Sequence, residues 1–279
     1  MLGRRFELIR TIGVGSMGVV HLARDLKPKR RSAEVALKQL APEHEDDLDA
    51  RHRFAREAAA LASIRHPNVV RVVGVGEDER GASFVAMEYV PGPSLEELVN
   101  ERAAAEQWVP IPRALEIVRA LAQGLGAVHA AGFVHRDVKP GNVLLEETTG
   151  RPVLIDFGLA RAPARASSKS LGAGTPWYMA PEQVDDDDAL DLEISARTDV
   201  YALGCTAYEV LTASPPFPSV DLAELMRQQL HADPPRPSSL RPELRALDQP
   251  LLRALAKDPA ERFPTPEALA DALDRAFPC

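Results

Sequence analysis

An α+β chain in two unequal parts is predicted by three observations. The first ninety residues run as short apolar stretches broken by glycines, with a single good helix among them. Beyond them, apolar residues recur at three- and four-residue spacing, as amphipathic helices require. Pro91-Gly92-Pro93 separates the two patterns and reads as a boundary. At 279 residues the chain is long for one compact core and short for two average domains, so one domain of two lobes, or two small domains, is expected.

Residues 6–12 and 19–23 are expected as strands flanking a glycine-rich turn, and Val35-Ala36-Leu37 as a third. Residues 51–64 read as a helix, with Phe54, Ala58 and Leu61 on one face. Two more strands are expected at 69–75 and 83–87. In the second part Ser94 heads a helix, and Glu97 three residues on completes a capping box. Ile117, Leu121, Leu125 and Val128 mark a long helix after Pro110 and Pro112. Val143-Leu144-Leu145 and Val153-Leu154-Ile155 form a small hairpin around Gly150. Val200, Leu203, Ala207 and Leu211 lie on a strongly apolar, buried helix, and 221–230, 250–257 and 265–276 read as amphipathic helices.

Composition removes several classes. With 45% hydrophobic and 27% charged residues, the chain is neither disordered throughout nor a disulfide-stapled miniprotein. Aromatics are only 5%, so Ala, Leu and Val must build the core. A net charge of −8 speaks against general nucleic-acid binding, which needs a concentrated basic surface. The two cysteines, Cys205 in an apolar helix and Cys279 at the last position, suit a reducing compartment. No apolar run approaches the ~20 residues of a membrane span, and Met1 to Glu7 lacks the apolar core of a signal peptide. A soluble, cytoplasmic chain is expected. The acidic runs at 43–49 and 185–188 read as solvated loops, with a cation or basic-partner site as the alternative.

The first chemical motif is Gly13-Val14-Gly15-Ser16-Met17-Gly18-Val19. Glycines let backbone amides approach phosphate oxygens, although a plain hairpin turn would use them too. A dinucleotide site needs a helix directly after such a loop. Here a strand follows, which argues against it. Next, Lys38 ends the Val35-Ala36-Leu37-Lys38 strand. Alone it reads as a solvated edge lysine. Glu57 changes that reading, because it sits beside Phe54 and Leu61 on the inward face of its helix and needs a partner. Lys38 is the natural one, and a lysine so held can touch phosphates. The most specific stretch is His135-Arg136-Asp137-Val138-Lys139-Pro140-Gly141-Asn142, followed beyond the hairpin by Asp156-Phe157-Gly158. Asp137 could accept a proton from an attacking hydroxyl. Asn142 and Asp156 offer hard oxygen ligands suited to Mg²⁺, and Lys139 could neutralise charge on a transferred phosphoryl group. Each residue alone could be a turn or cap; together they are not explained that way.

These motifs resemble those of the eukaryotic-like serine/threonine protein kinase family. The glycine loop, the Val-Ala-x-Lys strand, His-Arg-Asp with Asn142, Asp-Phe-Gly and Ala180-Pro181-Glu182 stand in family order and spacing. The resemblance runs from about Phe6 to Phe277, and phrases such as Met179-Ala180-Pro181-Glu182-Gln183 are similar to its bacterial branch.

The resemblance implies a bilobal protein kinase fold spanning 1–279 as a single domain. A small β-rich N-lobe (1–87) would carry one regulatory helix, with a hinge at 88–90 and a larger α-helical C-lobe (91–279). ATP would lie between the lobes. Ile12, Gly13, Val14, Gly15, Ser16, Met17 and Gly18 would cover it, and Val20, Ala36 and Leu145 would sandwich the adenine. Met87 would be the gatekeeper, and the backbone of Glu88 and Val90 would bond the adenine edge. Lys38, held by Glu57, would grip the phosphates. Asp137 would orient the substrate hydroxyl, Lys139 would steady the γ-phosphate, and Asn142 and Asp156 would hold Mg²⁺, with Mn²⁺ as a substitute. Glu182 would pair with Arg262, and Asp199 would cap the catalytic-loop backbone. Lys139 and Thr175 match the serine/threonine pattern, so protein substrates with Ser or Thr acceptors are implied. The acidic run at 185–188 would favour basic residues around the target site. Arg136 would pair with a phosphate on the 156–182 segment, at Ser167, Ser168, Ser170 or Thr175. A homodimer for autophosphorylation in trans is an option the family offers. Two competitors remain: a pseudokinase acting as a nucleotide- or partner-binding module, and a small-molecule kinase of similar fold.

Overall fold

The structure, a computed structural model, describes residues 5–15, 18–27, 33–40, 58, 61–78, 81–156, 176–184 and 193–278. Among these, an antiparallel sheet is built from β1 (Phe6–Gly15), β2 (Gly18–Asp25), β3 (Glu34–Leu40), β4 (Val72–Glu77) and β5 (Ser83–Glu88). The spatial order is β1-β2-β3-β5-β4. Alternation along the strands sorts the side chains onto two faces. Phe6, Ala23, Val35, Leu37, Phe84 and Ala86 pack on one face, with Phe6 and Phe84 meeting edge to face at 5.7 Å. The other face carries Val85 and Met87, which pack with Ala58, Leu61 and Ile64. Ala58 and Leu61 are helical, but the helix read at 51–64 ends at Leu61, with Ala62 and Ser63 in a turn; Phe54 and Glu57 lie outside the described residues.

From Leu95 the chain is helical. We label α1 (Leu95–Ala104), α2 (Ile111–Ala130), α3 (Pro181–Val184), α4 (Ala196–Thr212), α5 (Leu222–His231), α6 (Pro237–Leu240), α7 (Asp248–Ala254) and α8 (Pro266–Ala276). The capping box at Ser94 and Glu97 is present. α2 starts behind Pro110, with Pro112 in its first turn, where a missing N–H costs nothing. α4 is buried on every side from Thr198 to Thr212, as its apolar run requires. Leu121, Leu125, Leu203, Leu211, Leu251 and Leu273 belong to one core joining α2, α4, α7 and α8; burying each such side chain contributes about 1.5–3 kcal/mol. Cys205 lies inside α4 as a free buried thiol, and burial pushes its ionisation up.

Two further element limits differ from the expectation. The strand expected at 69–75 is β4, starting at Val72, because Val69 bridges Leu154 across the molecule instead. The helix expected at 250–257 is α7, displaced towards the N-terminus. It stops at Ala254 because Arg262 takes the Ala256 and Lys257 carbonyls, at 2.8 and 2.9 Å. Between sheet and helices, β6 (Val143–Leu145) and β7 (Pro152–Leu154) form the expected hairpin, with Gly150 at φ 69° in the connection. Gly92 has φ 136°, and a Cβ there would stand 1.9 Å from the Leu145 carbonyl oxygen. No other residue type fits that crossing. No helix among the described residues is long and apolar enough to cross a membrane.

Candidate active site

The glycine motif sits at the β1–β2 hairpin. Gly13 pairs with Val20, Val14 with Val19 and Gly15 with Gly18, and Gly18 takes φ 138°. Val14 is 79% exposed at this end; Ser16 and Met17 lie outside the described residues. Behind the hairpin the ladder aligns Val20, Lys38 and Val85 in one row, and Leu22, Ala36 and Met87 in the next. Val20, Ala36, Lys38 and Met87 therefore share one face of the sheet. Lys38 is buried, and its Nζ pairs with the carboxylate of Asp156. The expected partner, Glu57, lies outside the described residues.

Asp137 stands on the loop after α2. Asn142 Nδ2 donates both to the Asp137 carbonyl, at 2.7 Å, and to its Oδ2, at 2.8 Å. Lys139 Nζ lies 3.1 Å from the same Oδ2. With both donations of Asn142 spent on Asp137, its Oδ1 is the atom it could offer to a cation. The Ile155 amide donates to the Asn142 carbonyl at 2.8 Å, which brings Asp156 beside Asn142. Asp156 has φ 55°, a conformation Asp tolerates better than most residues. An amide oxygen and a carboxylate, two hard donors on neighbouring segments, suit a divalent cation such as Mg²⁺.

The loop backbone is fixed from below. Asp199, fully buried near the start of α4, accepts from the His135 and Arg136 amides at 2.8 Å each and from His129 Nε2 at 2.7 Å. Arg136 is thereby held at φ 66°. His135 is a buried packing residue whose Nδ1 accepts the Asp137 amide at 3.3 Å; burial pushes its pKa below the usual imidazole value. Glu182 and Arg262, both fully buried, form a two-pronged pair at 2.7 and 2.8 Å, with Thr198 also donating to Glu182 at 2.8 Å.

Leu145 lies buried in β6, and its amide donates to the Pro93 carbonyl at 2.8 Å. The Glu88 amide is committed to the Arg71 carbonyl at 2.9 Å. Ser167, Ser168, Ser170, Thr175 and the acidic run at 185–188 fall outside the described residues. Four polar side chains escaped the sequence reading: His129, Gln183, Gln229 and the Tyr178–Glu209 pair's carboxylate. Gln229, inside α5, donates to the Trp177 carbonyl at 2.9 Å and accepts from Tyr201. Tyr178 donates to Glu209 at 2.6 Å, and burial raises the pKa of that carboxyl. Their only sequence signal is a polar residue in an apolar run.

The sequence model of the protein kinase domain family matches residues 6–273. The serine/threonine-protein kinase PknB of Mycobacterium leprae is 38% identical over 271 residues, covering 95% of this chain and 42% of that protein. PknD of Mycobacterium tuberculosis is 38% identical over 278 residues, covering 98% of this chain and 40% of that protein. This chain therefore spans about two fifths of those relatives. Among solved structures, the Mycobacterium tuberculosis PknI kinase domain superposes with a TM-score of 0.77 at 32% identity, covering 99% of this chain and 97% of that one.

Proposed function

The chain belongs to the protein kinase family, and on that footing we propose that it transfers the γ-phosphoryl group of ATP to serine and threonine hydroxyls of proteins. The observation that carries this is the triad of Asp137, Lys139 and Asn142 on one loop, with Asp156 beside it and paired to Lys38. In this reading Asp137 aligns the acceptor hydroxyl and takes its proton as the new O–P bond forms. Lys139, within reach of the Asp137 carboxylate, steadies the γ-phosphate. Lys38 exchanges its contact with Asp156 for the α- and β-phosphates, which frees the Asp156 carboxylate. Asn142 and Asp156 would hold Mg²⁺, or Mn²⁺ in its place; such an ion neutralises phosphate charge when bound. The face bearing Val20, Ala36 and Met87, with Leu145 opposite, receives the adenine, and Glu88 and Val90 meet its edge. The lobe limits 1–87, 88–90 and 91–279 and a cytoplasmic location belong to the same proposal, as does autophosphorylation at Ser167, Ser168, Ser170 or Thr175.

The test is incubation with labelled ATP and Mg²⁺, with a basic protein as acceptor, comparing wild type with Asp137→Asn and mapping sites by mass spectrometry. Phosphate on Ser or Thr in the wild type alone is the expected result. ATP binding without transfer in either protein would replace this reading with a nucleotide-binding module. Transfer to a small-molecule alcohol but to no protein would replace it with a small-molecule kinase.

A further inference from the structure

We infer that Gln183 is a positioning residue for the proposed general base: its carboxamide bridges the Ala-Pro-Glu segment to the loop and fixes the peptide that carries Asp137. The inference rests on the phosphotransfer reading above. Gln183 is 5% exposed, and both ends of its amide are spent on backbone. Its Oε1 accepts the Ala180 amide at 3.1 Å, and its Nε2 donates to the Arg136 carbonyl at 3.0 Å. That carbonyl belongs to the same planar peptide unit as the Asp137 amide. The Asp137 amide itself makes a long 3.3 Å bond to His135 Nδ1. Asp199 holds the preceding peptide through the Arg136 amide. The left-handed Arg136 is therefore gripped on both sides, and such a conformation persists only where the surroundings over-determine it.

The donor is itself anchored. Gln183 follows Glu182 in α3, and Glu182 is locked to Arg262 and Thr198. Packing alone does not account for an amide at this place, since Leu or Met would fill a similar volume without needing polar partners. The bridge also joins two segments 47 positions apart in sequence. Through it, the placement of the segment after residue 175 acts on the orientation of Asp137.

Three proteins decide it: wild type, Gln183→Leu and Gln183→Glu, each assayed with ATP, Mg²⁺ and a Ser-containing acceptor at about pH 7.5, where a general base should be ionised. Leu removes both bonds. Glu keeps the acceptor for Ala180 and removes the donor to Arg136. Both variants should lose about 10- to 100-fold in kcat, with KM for ATP within about twofold of wild type and a preserved thermal transition. A Glu variant matching wild type would overturn the proposal, because the Ala180 bond would then be the one that matters. Equal kcat in all three would overturn it, as would loss of the thermal transition in both variants, which would assign Gln183 to folding. A wild type that transfers no phosphate refutes the phosphotransfer reading itself, and the Gln183 role falls with it; an active wild type with unchanged variants refutes the Gln183 role alone.

Discussion

The loop around Asp137 and the hairpin end between β1 and β2 are both dense in motif residues, yet they are held in opposite ways. The loop rests on a fully buried carboxylate, Asp199, and is cross-braced by Asn142, His135 and Gln183. The hairpin end rests on a backbone ladder, whose register shifts between Leu8 and Arg10 and again between Thr11 and Gly13. Among the described residues, the cross-strand side-chain contacts Thr11 to His21 at 3.2 Å and Arg24 to Glu7 at 3.5 Å are both exposed. On the proposed reading, the groups that would meet a reacting atom are the ones braced by the buried Asp199 carboxylate. On the same reading, the hairpin end that would cover the nucleotide keeps local bonds, which open at low cost.

The sharpest way to test this contrast is Asp137→Asn. It should lower kcat by about 10²- to 10⁴-fold, while circular dichroism melting stays near wild type, because the Asn142 bond to the backbone carbonyl survives. Unchanged turnover would mean that the bracing serves some other residue. Arg262→Ala comes next. It strands Glu182 as a buried carboxylate without its cation and should cost about 3–5 kcal/mol in urea unfolding.

A pH effect follows from Lys257, which donates to the Gln228 and Gln229 carbonyls while burial lowers its pKa to about 8. The unfolded chain keeps that lysine protonated up to its ordinary value of 10.5. Between these limits the unfolded state binds more protons, so this lysine's contribution makes stability rise with pH across that window. One proton sets a ceiling of about 1.4 kcal/mol per pH unit, and partial solvent access keeps the slope below it. Lys257→Met should remove that contribution, read as the difference between the two stability–pH curves. Ser94→Ala deletes the α1 cap and should cost about 1 kcal/mol. Smallest of all, Val14→Ser at the exposed hairpin end should change unfolding free energy by no more than about 0.5 kcal/mol. A larger loss would show that the hairpin end is braced after all.

The order of elements and the Ser94 cap were legible from apolar periods and a capping motif, while the Glu182–Arg262 pair and the Asp199 brace were legible only through the family resemblance. The limits of β4 and α7 were not. Val69 leaves the sheet for Leu154, and Arg262 draws off the carbonyls after Leu255; both are contacts between distant residues that no local pattern records. Gln183 was quoted as part of a phrase, but its role depends on a carbonyl far away in sequence. Lys38 shows the same limit, since its pairing with Asp156 joins two motifs that the sequence reading treated separately.

The β6–β7 hairpin grips both strands of chain that run between sheet and helices. Pro91 and Pro93 accept from Glu147 and Leu145, while Val70 donates to Leu154 and Asn68 accepts from it. Just beyond these grips Arg71 and Glu88 bond each other, through the Glu88 amide at 2.9 Å and the Arg71 amide at 3.3 Å. The two cords thus narrow to one waist, a place about which the sheet could tilt. Lys38 pairs with Val85, three residues up from Glu88, so it rides on a lever of roughly 10 Å. A tilt of about 10° would carry it ~2 Å, enough to part it from Asp156.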